Sequence, residues 1–494
     1  MRVRRLKIST GGTFVVLMNE ADASSLALHK GDRVNLIRRN GDSVTAVLDI
    51  TPNHIRRGQI GLFDEVFTSL KFKEGESVSV APSEKPVSLS YIKKKLDGFE
   101  LSREEITQIV EDITNDKLLD MEIAYFVSAC YSNHMSLRET RYLTEAMIST
   151  GDILKINSRV VADKHCIGGV AGNRTTMVIV PIVSSLGIVI PKTSSRAITS
   201  PAGTADTVEV LTHVEFSLDD LKRFIRKSNA FMVWGGSVNL APADDRIIKV
   251  ERPLSVDSEG QLLASILAKK KSVSSNHVLI DIPLGRGAKI ESRLEAIRLK
   301  HKFEVLGKML DMKIRVIITD GSQPIGRGIG PVLEARDVLW LFERDHRRPL
   351  DLEQKGLLMS AHLINMTKRV SFDQALKLAK QSLESGRARE QFLTILKNQG
   401  AKITHSSEIE LARFKAIVRA NKSGRIVSIN NRTISLIARF AGAPFDKKAG
   451  VYLLKKKLDR VVSGDILYEI YAESNSKLRY AKEFAEQNSG YLIK

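Results

Sequence analysis

Cysteine is almost missing from the 494 residues: only Cys130 and Cys166 occur, far apart and outside any CxxC or HExxH spacing. A disulfide framework or a cysteine-based zinc site is therefore not what organises this chain. Aromatic residues make up only 6%, too few to interleave with cations as a base-stacking, single-strand-binding surface requires. No stretch approaches the ~18 uncharged apolar residues of a membrane span. Met1–Lys7 is basic, but no apolar run follows it, so a secretory signal is not expected and the cytoplasm is the default compartment.

What is present fits a globular, multidomain protein. Hydrophobic residues reach 43% and charged residues 27%, which excludes a largely disordered chain. At ~150 residues per domain the length predicts about three domains, large enough to be stable without covalent staples. Lys and Arg total 76 against 57 acidic residues, a formal charge of +19. This excess favours a phosphate-bearing ligand or a nucleic acid. The cations come in short clusters, Lys93–Lys95, Lys269–Lys271, Arg347–Arg348 and Lys455–Lys457, rather than in one stripe. That argues against a nucleic-acid binder, the reading from another class. Apart from Lys269, the 269–271 and 455–457 clusters are expected to be solvated faces.

The first ~85 residues read as a β-rich unit. Val34 and Leu36 alternate with polar residues, Asn40-Gly41 offers a hairpin turn, and Val44, Ala46, Leu48 and Ile50 alternate again. Lys30–Val34 and Glu74–Val78 hint at a pseudo-repeat, and Pro82–Pro86 reads as a linker. Helices follow, with capping boxes at Ser102/Glu105 and Ser136/Glu139 and a stop at Gly151. From Ile153 the pattern is α/β, with Ile188–Ile190 and Val278–Ile280 as buried strands. Short strands and turns return from about Lys415.

Two loops carry the chemistry. Asp163-Lys164-His165-Cys166-Ile167-Gly168-Gly169-Val170-Ala171-Gly172-Asn173-Arg174-Thr175-Thr176 leads into an apolar helix. Glycines let backbone N–H groups approach an anion, and the helix N-terminus adds its positive end. No GxxxxGK[ST] register fits, so this is not a Walker A loop. On the residues alone, an anion cradle and a plain glycine-rich turn both remain open. The second loop runs from Lys192 to Asp206 and gathers Thr193, Ser194, Ser195, Thr199, Ser200 and Thr204 around Arg196. Such donor density at a strand end suits a phosphate or sugar.

Ser194 to Glu209 closely resembles the S-[GS]-R-[GA]-[LIV]-x-x-[TA]-[GA]-G-T-x-D-x-[LIV]-E signature of thymidine and pyrimidine-nucleoside phosphorylases, with Pro201 as the single departure. Leu240–Asp244, Ala264–Lys269 and Gln323–Arg327 match further motifs of that family in order, from about Pro86 to the C-terminus. Cys166-Ile167 stands where the nucleoside enzymes carry Ser-Thr. That change, the extra N-terminal unit, Ser194–Ser200 and Gly285–Lys289 resemble the AMP phosphorylases of archaea. The anthranilate phosphoribosyltransferases are similar in architecture but lack the hydroxyl-loop signature.

The resemblance implies a multidomain α/β protein. A small N-terminal barrel-like β unit (1–85) precedes a helical domain (86–153 plus about 241–275) and an α/β phosphate-binding domain (154–240 plus about 276–410), the latter two flanking a cleft. A C-terminal α+β cap (411–494) completes it. It further implies phosphorolysis of nucleoside 5′-monophosphates, with AMP, CMP or UMP and inorganic phosphate as partners, no cofactor or metal, and a homodimer or larger homo-oligomer. The alternative is a thymidine or pyrimidine nucleoside phosphorylase. By family match Lys164, Ser194 and Thr204 hold inorganic phosphate, with Gly169 allowing close approach and Thr175 in support. Arg252, Ser265 and Lys269 surround the base, with His165 nearby. Lys289 takes the 5′-phosphate, helped by Ser195, Arg196, Ala197, Ile198, Thr199 and Ser200. Asp257 matches the family's proton donor, whereas its place ahead of an apolar run also suits a helix N-cap. His134, His213, His277 and His346 receive no role.

Overall fold

The alternation around Ala46 and Leu48 becomes the nine-residue strand Ser43–Thr51 in a computed structural model of the chain. It describes residues 1–494 apart from 198, 199, 255 and 257 and the side chains of 252–254. Two compact units emerge, Met1–Thr150 with Pro242–Leu262, and Gly151–Ala241 with Leu263–Lys494.

In the first unit, Ser43–Thr51 lies inside a six-stranded sheet ordered Arg2–Arg5, Gln59–Leu62, Val15–Asn19, Ser43–Thr51, Arg33–Arg38, Val78–Pro82. Residues pointing to one face, among them Val16, Met18, Val34, Leu36, Ala46, Leu48, Ile60 and Leu62, form a single apolar core, as the two-residue period of a strand requires. The Asn40-Gly41 turn joins two antiparallel strands. The two similar phrases are structurally equivalent: each follows a short helix, Glu20–Ser25 or Asp64–Ser69, and leads into one of two paired strands. The outermost strands are also bridged to each other at Arg2 and Ser77.

Both expected capping boxes are present, on Arg103–Thr114 and Leu137–Ser149. Glu139 does more than cap. It is 1% exposed, accepts from Lys95 Nζ at 2.8 and 3.0 Å, and accepts from the backbone N–H groups of Leu101 and Ser136. Removing one partner of such a buried pair leaves an uncompensated charge, which costs ~3–5 kcal/mol. Glu139→Gln is therefore expected to lower stability to urea by about that amount. The double change Lys95→Met/Glu139→Gln should recover most of it. A double variant no more stable than Glu139→Gln would show that the pair's charge is not what matters.

The second unit is built on parallel strands: Lys313–Asp320, His277–Leu284 and Ala162–Cys166 in one sheet, and Ile190–Ser194 beside Ala230–Trp234 in another. A parallel bridge between Val161 and Val189 joins the two. The helix Thr175–Ser184 is buried along its whole length and centres the core. The strand expected at Ile188–Ile190 instead runs Ile190–Ser194 and takes Lys192 and Thr193 out of the loop. Lys192 is tolerated in a buried strand because Asp163, on the neighbouring strand, faces its amine at 3.4 Å.

Antiparallel strands and the helices Asn431–Phe440 and Asn475–Gln487 form the C-terminal part. Its sheet also recruits Gly328–Ile329, which pairs with Gly450–Leu453 and binds this part to the α/β core. Of the lysines expected at solvated faces, Lys270 is buried and Lys456 is half-buried. A run of three on a helix points in three directions, so Lys270 faces inward and pairs with Asp163 at 2.9 Å. Lys456 donates to Gly326 O at 2.9 Å and pairs with Asp351 at 2.9 Å. No helix among the described residues is long and apolar enough to cross a membrane.

Candidate active site

Ala162–Cys166, Ile190–Ser194 and His277–Leu284 run parallel, so Cys166, Ser194 and Leu284 mark the same end of the sheet. Ligands of open α/β sheets bind at that carboxyl end. The glycine loop leaves it after Cys166, the hydroxyl loop after Ser194 and the Gly285–Lys289 turn after Leu284.

Gly169 explains how two of these meet. A Cβ there, at φ +82°, would stand 2.1 Å from Lys289 N and 2.7 Å from Ala288 C. Only glycine lets the first loop lie against the Lys289 turn. Gly203 plays the same part in the second loop, where a Cβ would meet Ala197 N and Arg196 C at 2.6 Å. Asp206 closes that turn, its carboxylate accepting from Ala197 N at 2.7 Å and Gly203 N at 2.9 Å.

Lys164 is 1% exposed and donates from Nζ to Thr175 Oγ1 at 2.9 Å. The Thr175 hydroxyl in turn donates to Asn173 Oδ1 at 3.0 Å. Burial, the dominant effect, lowers the Lys164 pKa, partly offset by the Asp281 carboxylate. Burial also pushes the Cys166 thiol up, which keeps it a neutral thiol. Ser194 Oγ is buried and makes no hydrogen bond among the described residues. A buried hydroxyl in that condition keeps its hydrogen-bonding capacity available for a polar ligand atom. Thr204 is half-buried, opens the helix Thr204–Leu211, and accepts from Arg174 Nη1 at 2.9 Å.

His165 stands among cations. Burial first, then Lys270, Lys192, Lys164 and Lys269, hold its pKa well below the ordinary value, so the imidazole is neutral. Ser265 and Lys269 lie one turn apart on Glu259–Lys271, both half-buried, and so share a face. Ser195 and Ser200 are exposed and Ala197 is half-buried. Arg196 is not surrounded by the loop's hydroxyls. Its guanidinium is held by Glu209 at 2.7 and 2.8 Å and by Glu215 at 2.9 Å, and it stacks over Trp234. Hydrogen bonds to Glu209 raise its pKa further. Ile198, Thr199, the Arg252 side chain and Asp257 lie outside the described residues.

Sequence reasoning assigned no role to several charged residues that converge here. Asp163 pairs with both Lys192 and Lys270. Asp281 pairs with Lys355 at 3.1 Å and accepts from Thr319 at 2.6 Å. Arg174 pairs with Glu334. A legible signal was the lone acid in the apolar run Val278-Leu279-Ile280-Asp281-Ile282, since a buried carboxylate needs a cation. Among the described residues no group of three or more His, Cys, Asp or Glu side chains is arranged to hold a metal ion.

Residues 89–151 match the helical bundle domain of the glycosyl transferase family, 158–389 its α/β domain, and 425–491 the C-terminal domain of pyrimidine nucleoside phosphorylases. Anthranilate phosphoribosyltransferases share the fold. That of Saccharomyces cerevisiae aligns at a TM-score of 0.52 and 15% identity over 64% of this chain and 98% of its own. The Thermus thermophilus enzyme aligns at 0.51 and 17% over 62% and 98%. The fold and matched domains define a pentosyltransferase of the phosphorylase type. At full length the chain is 42% identical to the AMP phosphorylase of Methanococcus vannielii over 96% of this chain and 94% of that one. It is 42% identical to that of Methanocaldococcus jannaschii (98% and 96%) and 44% to AMP phosphorylase 1 of Archaeoglobus fulgidus (98% and 95%). The chain belongs to the AMP phosphorylase family.

Proposed function

We propose that this enzyme cleaves AMP with inorganic phosphate, giving adenine and ribose 1,5-bisphosphate. A phosphate oxygen bonds to C1′ as the C1′–N9 bond breaks, and a proton reaches the departing base. Positive charge builds on the ribose and negative charge on the base, so positioning and fixed electrostatics supply most of the acceleration. The observation that carries this reading is the packing of Gly169 on Lys289 N. It sets the glycine loop that follows a strand carrying a buried lysine beside a second cationic turn, as a reaction of two phosphate-bearing partners requires.

In this reading Lys164, Ser194 and Thr204 hold inorganic phosphate. Gly169 supplies close backbone approach, and Thr175 keeps the Lys164 amine in place. Lys289 and the 195–200 segment take the 5′-phosphate, with Arg196 bracing that segment through Glu209. Arg252, Ser265 and Lys269 line the base, beside a neutral His165, and Asp257 protonates it. The chain is divided as 1–85, 86–153 with 241–275, 154–240 with 276–410, and 411–494, and the first part is barrel-like. The enzyme is a cytoplasmic homodimer or larger homo-oligomer, and CMP and UMP are further substrates.

The test is phosphate-dependent base release from AMP, CMP, UMP, adenosine and thymidine side by side. Each charge-assisted hydrogen bond to the 5′-phosphate is worth ~1.5–3 kcal/mol. Two or more of them predict that kcat/KM for AMP exceeds that for adenosine by about 10²-fold or more. Equal values for AMP and adenosine would remove the 5′-phosphate pocket and favour a nucleoside phosphorylase.

A further inference from the structure

The second loop of the site depends on a side chain that reaches it from the first. Arg174 lies at the junction of the glycine loop and the helix Thr175–Ser184, as its N-cap. Its side chain is 10% exposed, and its nitrogens face Thr204, Ala202 and Glu334. Nη1 donates to Thr204 Oγ1 at 2.9 Å, Nη2 donates to Ala202 O at 2.9 Å, and Nε ion-pairs with Glu334. Glu334 is fully buried in the first turn of Pro331–Glu343. It also accepts from the Thr207 hydroxyl at 3.1 Å and from Gly330 N at 3.2 Å. Thr204 and Thr207 belong to the same helix, Thr204–Leu211. Arg174 and Glu334 thus grip that helix at two points in its first turn.

The direction of the hydrogen bond to Thr204 matters. A guanidinium has five N–H donors and no acceptor, so Thr204 Oγ1 can only accept from it. A hydroxyl has one proton and two lone pairs. With one lone pair committed to Arg174, its O–H swings away from the cation, towards whatever the half-buried face of Thr204 meets. Thr175 shows the opposite arrangement. It also accepts from a cation, Lys164, but spends its proton on Asn173 and is fully buried. The two threonines therefore divide the labour: Thr175 is closed within the protein, whereas Thr204 is oriented as a donor.

We propose that Arg174 is a positioning residue for the reaction: through its bond to Thr204 it fixes that hydroxyl as a hydrogen-bond donor to the substrate anion. Glu334 holds the guanidinium in the plane this needs. This inference rests on the function proposed above, since it takes Thr204 to touch a phosphate-bearing partner. Arg174 itself need not touch substrate. A lysine is no substitute, because an ammonium is a point charge without the planar fork that reaches Thr204, Ala202 and Glu334 together.

A double-mutant cycle tests the coupling. Arg174→Lys keeps a cation opposite Glu334, and Thr204→Val removes the hydroxyl while keeping its shape. Each single change is expected to lower kcat/KM for phosphate or AMP by about tenfold or more, mainly through KM. The double variant should be within about threefold of Thr204→Val alone, because without the hydroxyl nothing remains to orient. Combined with Ser194→Ala, by contrast, Arg174→Lys should multiply. A double variant in which the Arg174 and Thr204 effects multiply would overturn the proposal, as would an Arg174→Lys enzyme with wild-type kinetics. Should Arg174→Lys fail to fold, Arg174→Met with Glu334→Gln removes the buried charges together and enters the same cycle. The phosphate-induced rise in melting temperature is measured on every variant. If the wild type releases no base from AMP, the proposed function fails, and that thermal shift alone then decides whether Arg174 and Thr204 are coupled.

Discussion

Replacing Asp257 with Asn is expected to lower kcat by about 10²–10⁴ while leaving AMP binding and melting temperature almost unchanged. The size of the effect is that of removing a positioned general acid, since Asn keeps the shape but has no proton to transfer. The small effect on stability follows from the neighbouring helix. Asn caps about as well as Asp, so a cap at this position would survive the change. The carbonyl of Ser258 accepts from Leu262 N at 2.9 Å, the first bond of Glu259–Lys271, and the Ser258 hydroxyl is tied to Cys130 O at 3.3 Å. The rival acid is His165, which burial and four surrounding lysines keep neutral, so it holds no spare proton to give near neutral pH. A carboxyl acting as acid works in its protonated form, so turnover should fall as pH rises through its pKa in the complex. Turnover of Asp257→Asn close to wild type would reduce Asp257 to a structural residue and reopen the case for His165.

The same linkage gives His165 a signature in stability. Its folded pKa is lowered, so below ~6.5 the unfolded chain binds a proton that the folded chain does not. Stability is then lost as the pH falls below that value.

Local signals carried much of the architecture and less of the electrostatics. Ser102/Glu105 and Ser136/Glu139 announced their helices because a capping box is complete within four residues. The Asn40-Gly41 turn and the alternation around Ala46 did the same for the first sheet. The site loops were legible because glycines and hydroxyls cluster along the chain. What escaped was pairing across it. Arg196 sits in a hydroxyl-rich loop, yet its guanidinium goes to Glu209 and Glu215, and no local pattern separates a cation kept for substrate from one spent on the protein. Lys270 reads as a solvated lysine, like Lys271, unless Asp163, more than a hundred positions away, is known to face it. Arg174 and Glu334 are likewise distant in sequence. Strand bounds slipped for the same reason. Lys192 reads as a loop residue unless its partner on the next strand is known.

Lys164 gives the expected result in which stability and activity part company. Its amine is buried, it donates to the neutral Thr175 hydroxyl, and burial lowers its pKa. Desolvating a cation costs free energy that a neutral hydroxyl does not restore; phosphate bound beside it would. Lys164→Met keeps the length of the side chain and removes the charge. Without phosphate the variant is therefore expected to melt at or above the wild-type temperature. With phosphate the order should reverse. A ligand at about 100 times its Kd adds ~2.7 kcal/mol to the folded state, and the variant should forfeit most of that gain. Two charge-assisted bonds to phosphate, at ~1.5–3 kcal/mol each, place the fall in kcat/KM for phosphate at about 10²-fold or more. The pH dependence has a definite sign. A lysine with a lowered folded pKa makes the unfolded state the better proton binder between that value and ~10.4, so wild-type stability rises with pH across that window. Lys164→Met should flatten that rise. Melting curves with and without phosphate, set beside initial rates for both proteins, measure all of this. A variant that is still stabilised fully by phosphate and turns over AMP normally would take Lys164 out of the phosphate site.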